Sequence, residues 1–147
     1  MPDSLVVDAS IAVKWILDEE GSAKARLIFE HAAAGRLTLL APDILVPEVT
    51  NVIWKNAALR ALASPERAQE TLRVFLRGVP PLVPSSVLAA PALELAMRFR
   101  RSLYDCLYVA LALSERCTLV TADMALVRTM GPETGAVVAL EDVRLER

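Results

Sequence analysis

Short apolar runs alternate along the chain with longer stretches in which apolar residues recur every three or four positions. Leu5-Val6-Val7 reads as a short buried strand, followed at once by a helical stretch through Leu17. Ser22 is placed to cap a helix whose apolar stripe is Ala25, Ile28, Phe29, Ala32 and Ala33, with Gly35 as its stop. Leu37 to Ala41 is a second strand, halted by Pro42. A long helix is then predicted from Asp43 toward Leu62 through Leu45, Val49, Val52 and Ile53, with Pro47 tolerable in its first turn. Ser64-Pro65 opens the next helix in the favoured order of cap and proline, and Gly78 follows it. Val79 to Pro84 leaves room for a brief strand only. Leu88, Ala92, Leu95, Ala96 and Phe99 mark another helix, and Ser102 begins one that is apolar nearly all round and therefore buried. Strand Thr118 to Thr121, a short helix from Asp123 and strand Ala136 to Leu140 complete the pattern. Strands that are apolar on both faces and alternate with helices require a parallel sheet covered by helices. The expectation is an α/β fold, a three-layer α/β/α sandwich around a central parallel sheet.

Composition narrows the class without changing that picture. The 147 residues suit one domain spanning 1–147, and 54% hydrophobic residues against 23% charged exclude a disordered chain. Mean hydropathy is +0.41. Even so, the longest clean apolar run, Cys106 to Leu113, falls far short of the ~18–20 residues of a bilayer span. The acidic start, with Asp3 and Asp8, does not read as a signal peptide, and two cysteines do not make a disulfide scaffold, so a cytoplasmic protein is expected. A net charge of −2 argues against a non-specific nucleic-acid coat but not against a local site with its own cations. With a single histidine, His31, on the polar side of its helix, histidine-rich zinc sites and most Ser-His-Asp or Cys-His schemes are excluded unless His31 itself is the base.

Four acids occupy one kind of position. Asp8 ends the first strand and starts a helix, Glu48 lies in the first turn after the second strand, Asp105 follows Ser102 in the first turn of the buried helix, and Asp123 ends the strand Leu119-Val120-Thr121. Singly, each has a structural explanation: Asp8 and Asp123 as caps, Ser102 and Asp105 as a capping box, Glu48 as a favourable charge at a helix start. Together they point to a shared place. The C-terminal strand ends of an open parallel sheet lie along one edge, where ligand crevices open. Carboxylates meeting there repel one another and shift toward protonation unless a cation joins them. Oxygen ligands without His or Cys favour Mg²⁺ or Mn²⁺. Ser10, Asn51 and Thr121 accompany the acids at short spacings and suit either local backbone bonding or support of the carboxylates. Arg101, four residues before Asp105, is spaced to pair with it.

The stretches Val6-Val7-Asp8-Ala9-Ser10 with Val13-Lys14-Trp15, Pro47-Glu48-Val49-Thr50-Asn51, Tyr104-Asp105-Cys106-Leu107-Tyr108-Val109-Ala110-Leu111-Ala112 and Leu119-Val120-Thr121-Ala122-Asp123 resemble PIN-domain ribonucleases. They are most similar to VapC-type toxins of prokaryotic toxin–antitoxin pairs. The resemblance runs from about Leu5 to Val143 with the motifs in family order. Cys106 departs from the small Ala usual after the third acid. The resemblance implies a PIN-like fold, with Asp8, Glu48, Asp105 and Asp123 as catalytic and metal-binding residues and Ser10, Asn51 and Thr121 as supporting polar groups. It further implies Mg²⁺- or Mn²⁺-dependent cleavage of RNA, often a tRNA or rRNA loop, by a homodimer silenced by a VapB-like antitoxin.

Arg98, Arg100 and Arg101 either flank such a site and grip RNA phosphates or solvate a helix end. Trp15 and Trp54 read as packing residues rather than base-stacking platforms, as do Tyr104 and Tyr108, with Tyr104 the nearer to the site. Cys106 and Cys117 read as inert core residues. Two other functions remain open. A phosphatase of the haloacid dehalogenase type also places Asp after its first strand, but it needs a second Asp where Ser10 stands and a downstream Lys, and the lysines here are Lys14, Lys24 and Lys55. A non-cleaving module that binds RNA or protein would keep the scaffold and not the chemistry.

Overall fold

A computed structural model describes residues 3–60 and 63–145. Among these, five strands and seven α-helices succeed one another as β1 (Asp3–Val7), α1 (Ala9–Ile16), α2 (Ser22–Ala33), β2 (Leu37–Pro42), α3 (Leu45–Trp54), α4 (Pro65–Arg77), β3 (Leu82–Val83), α5 (Ser85–Phe99), α6 (Leu103–Ser114), β4 (Thr118–Thr121), α7 (Met124–Thr134) and β5 (Val137–Ala139). Every strand pairing is parallel, and the sheet order is β3-β2-β1-β4-β5. The chain therefore builds outward from β1 to one edge, then returns to its other side to place β4 and β5. This reversal opens a crevice at the C-terminal ends of β1 and β4. The expected three-layer α/β/α architecture is the one observed.

Alternation along the strands divides the core. Val6 and Leu119 face one layer with α3, α5 and α6, whereas Val7 and Val120 face the other with α2; all four are fully buried. The run Cys106 to Ala112 is buried throughout, as expected of a helix apolar on every side. No helix among the described residues is long and apolar enough to cross a membrane.

Several boundaries differ from the sequence expectation for local reasons. Ser22 does not cap α2. Gly21 takes the cap position with φ +83°, and the Ser22 hydroxyl instead donates to the Leu17 carbonyl and accepts from the Glu19 N–H. The long helix after β2 begins at Leu45 and passes after Trp54 into a π-helical turn, Lys55–Leu59; its expected end at Leu62 lies outside the described residues. Ser64 caps α4 as expected, accepting from the Arg67 N–H.

Where α4 ends, Gly78 lies beneath a ring. A Cβ added there would sit 2.8 Å from Phe29 Cζ. Gly78→Ala is expected to destabilise the fold by about 1–3 kcal/mol through forced movement of that ring, and urea denaturation would measure it.

Candidate active site

The crevice is lined from the strand ends. Asp8 follows β1 directly and is 8% exposed. Its extended backbone caps α1, and its Oδ1 accepts from the Ile11 N–H at 3.3 Å. Two hydroxyls complete its surroundings. Ser10 Oγ donates to Oδ1, and Thr121 Oγ1 donates to Oδ2, each at 2.5 Å. The direction of both bonds follows from the ionised carboxylate, which only accepts, while each hydroxyl oxygen in turn receives a backbone N–H: Ala122 into Ser10 Oγ at 2.9 Å and Asp123 into Thr121 Oγ1 at 3.0 Å. Their protons are thereby turned toward Asp8. Three donors satisfy most of the roughly four acceptor positions of a carboxylate and leave one on the Oδ2 side. Ser10 and Thr121 thus act directly on Asp8, whereas Asn51 is exposed on α3 and, among the described residues, no hydrogen bond joins it to the acids.

Burial raises the Asp8 carboxyl from 3.8 to about 6 against the lowering effect of these donors, and the charge of Asp105 adds to the rise. The same negative neighbour acts on Glu48, which burial also raises. Glu48 is steadied by Tyr108, whose hydroxyl donates to Oε1 at 2.7 Å. Burial and the adjacent Glu48 push the Tyr108 phenol far up, so it remains a donor. Of the two tyrosines, Tyr104 is 62% exposed, and it is Tyr108 that reaches an acid. The sequence favours Tyr104; the spacing of Tyr108 from Asp105, three residues and hence one turn on the same helix face, is the signal that could have found it.

Asp105 and Asp123 are joined by one cation. Arg101 Nη2 donates to Asp105 Oδ2 at 3.0 Å and to Asp123 Oδ2 at 3.2 Å. Asp123 Oδ1 is committed to capping α7 through the Leu126 N–H at 3.1 Å, and Ser102 caps α6 by accepting from the Asp105 N–H. The caps at Asp8, Ser102 and Asp123 and the clustering are thus both real, whereas the expected capping box is half formed, because the Asp105 carboxylate turns to Arg101 rather than back to the Ser102 N–H. All four acids lie around the crevice, coupled through Thr121, Arg101 and the mutual charge of Asp8, Glu48 and Asp105. Among the described residues, no three of these side chains stand close enough together to hold a single ion.

The remaining candidates divide. Arg98 pairs with Glu133 at 3.0 Å and lies over the Phe99 ring. Arg100 is exposed in the left-handed turn that ends α5, at φ +54°. Trp15 packs on Phe29 and donates to the Ala25 carbonyl, but Trp54 is 53% exposed beside a groove between α3 and α4 rather than packed. Cys106 is fully buried with its thiol pushed up by burial, so it has no nucleophilic character.

No curated protein sequence matches the chain. Solved structures do. The PAE2754 protein of Pyrobaculum aerophilum superposes with a TM-score of 0.68 at 24% identity, over 96% of this chain and 93% of that one. A chain of VapBC2 from Rickettsia felis, solved bound to a DNA fragment from their promoter, gives 0.62 at 17% identity over 92% and 98%. VapC20 of Mycobacterium tuberculosis, a sarcin–ricin-loop-cleaving toxin, gives 0.60 at 14% identity over 86% and 95%. Likeness at these identities concerns the fold. The sequence itself matches the PIN domain family over residues 5–131. That match takes in both crevice strands and all four acids, and the chain belongs to the PIN-domain family.

Proposed function

We propose that this protein is a divalent-metal-dependent endoribonuclease and the toxin of a type II toxin–antitoxin pair. The observation that carries the reading is the convergence of Asp8, Glu48, Asp105 and Asp123 on the switch-point crevice, with Asp8 held by Ser10 and Thr121. The donors are all carboxylate oxygens, a set that fits Mg²⁺ or Mn²⁺; burial chiefly raises Asp8 and Glu48, the charge of Asp105 adds to it, and a dication offsets both effects. Asp8 Oδ2, Glu48, Asp105 and Asp123 Oδ2 are the oxygens that would hold the ion, which would have to draw them closer together than they stand here. When bound, it supplies a water of lowered pKa and positive charge opposite the leaving oxygen of the phosphodiester.

The protein's own part is positional. Ser10 and Thr121 keep Asp8 ionised and aimed, Tyr108 fixes Glu48, and Arg100, next in sequence to Arg101, is an exposed cation that a substrate phosphate could meet. An acidic crevice excludes a polyanion unless cations offset it, so such contacts are needed at the rim. An RNA substrate, a VapB-like antitoxin, a homodimeric state and a cytoplasmic location accompany this reading, supported by the PIN-domain match and by the likeness in fold to VapC20 and VapBC2.

Purified protein incubated with a labelled total-RNA pool and Mn²⁺ or Mg²⁺ is expected to give discrete cleavage products on denaturing gels. Excess chelator is expected to abolish them, and readdition of metal to restore them. Cleavage that persists undiminished in chelator would contradict the metal assignment, and binding of RNA without cleavage under every metal condition would establish a binding module instead.

A further inference from the structure

The guanidinium of Arg101 occupies the place a cation would take between Asp105 and Asp123. Its Nη2 contacts the Oδ2 atoms of both acids, at 3.0 and 3.2 Å. For Asp123 this is decisive, because Oδ1 is already bound to the Leu126 N–H in the α7 cap. Oδ2 is the oxygen left to ligate an ion, and it is the one Arg101 holds. The side chain is only 20% exposed, and its Nε is buried without a hydrogen-bond partner among the described residues. A guanidinium in its best arrangement meets a carboxylate with two parallel N–H groups. Here a single nitrogen is shared between two acids and another donor goes unused, an arrangement dictated by where the charges lie rather than by ideal pairing.

We propose that Arg101 is a positioning residue that serves as the resident counter-cation of the metal-free site and exchanges with the divalent ion at Asp105 and Asp123. The idea rests on the metal-dependent reading above. In the metal-free protein Arg101 neutralises the two acids and keeps them turned toward each other. Metal entry requires the guanidinium to leave Asp123 Oδ2. Apparent affinity for the ion is therefore lowered by the competition, and the site fills at a metal concentration that Arg101 helps to set.

The test is Mn²⁺ binding measured by calorimetry on wild-type protein and Arg101→Gln at low ionic strength. Loss of an ordinary structural contact would weaken binding, whereas loss of a competitor strengthens it; Arg101→Gln is expected to bind Mn²⁺ at least about tenfold more tightly, with Arg101→Lys in between. A second measurement uses the wild-type chain. In ¹⁵N-labelled protein titrated with Mg²⁺, the Arg101 Nε–H resonance is expected to shift with the same half-saturation as the Asp123 amide, reporting release of the guanidinium. Equal or weaker Mn²⁺ binding by Arg101→Gln overturns the exchange while leaving the metal reading intact, and so does an Arg101 resonance unmoved at saturating Mg²⁺. If neither protein binds Mn²⁺ at all, both ideas fall together.

Discussion

Replacement of Asp8 by Asn is expected to lower metal-dependent RNA cleavage by about a thousandfold or more, and at the same time to make the metal-free protein more stable at neutral pH. The two effects have one origin. Asp8 is a carboxylate 8% exposed at the C-terminal end of β1, raised to about 6 chiefly by burial. At pH 7.5 it is ionised at a cost, and on the proposed reading that charge is what would hold the cation. Asn keeps the shape and removes the charge. Its carbonyl can accept from Ser10 and Ile11, and its amide can donate to Thr121 Oγ1, whose own proton then turns toward Ser10 Oγ at 3.4 Å. No buried group is stranded, so the variant folds. Stability of the metal-free form is expected to rise by about 1–3 kcal/mol, bounded above by the conversion of the Asp8 shift at ~1.4 kcal/mol per pH unit. Loss of one charged ligand removes several kcal/mol of transition-state stabilisation, about 4 kcal/mol of which is a thousandfold in rate. Initial rates on a labelled RNA, with thermal melts of the same preparations, check both halves. Undiminished cleavage by Asp8→Asn would refute the role of this acid whatever the melts showed.

The parts of this molecule legible from sequence are those governed by local periodicity. The apolar run at Cys106 to Leu113 marks a buried helix because no face of it is polar, and Thr118 to Thr121 is a strand whose limits match expectation residue for residue. Strand order was not readable in this way. That β1 lies between β2 and β4 depends on which helices pack on which face, yet it is this reversal that brings Asp8 and Asp123 to one crevice. Asp8 and Asp123 could be picked out because a charged residue at the end of an apolar strand breaks the pattern, and Glu48 and Asp105 because each is an acid in the first turn of a largely apolar helix. Their partners could not be ranked so easily. Arg101 was spaced to reach Asp105, but its second partner, Asp123, is 22 residues further on. Tyr108 is separated from Glu48 by 60 residues and looked like one more core aromatic. Contacts of that reach come from packing, not spacing. The same reason accounts for Trp54, whose helical surroundings suggested burial although the ring is half in solvent beside the groove between α3 and α4.

Stability of the metal-free protein should fall as pH rises through the range in which Asp8 titrates. For a group held above its ordinary value by the fold, the folded state binds the proton more tightly than the unfolded one. Its stabilising contribution is complete below about 3.8, the value in the unfolded chain, and is lost as pH rises through about 6. The whole contribution is on the order of 3 kcal/mol, and roughly half of it, about 1.4 kcal/mol, disappears between pH 5 and pH 7.5. Glu48 is raised as well and works in the same direction. For a chain of this size, the melting temperature at pH 7.5 should lie about 3–6 °C below that at pH 5 on account of Asp8 alone. Divalent metal acts on the ionised form, so saturating Mg²⁺ should recover the loss at pH 7.5, by about 2.7 kcal/mol at a hundredfold excess over its dissociation constant, and do much less at pH 5. Asp8→Asn supplies the internal reference, since it lacks the titrating group and should show a flatter profile and little response to Mg²⁺. Parallel slopes for the two proteins between pH 5 and 7.5 would mean that Asp8 is ionised in the fold as easily as in water, and the electrostatic reason for a cation in this crevice would be gone.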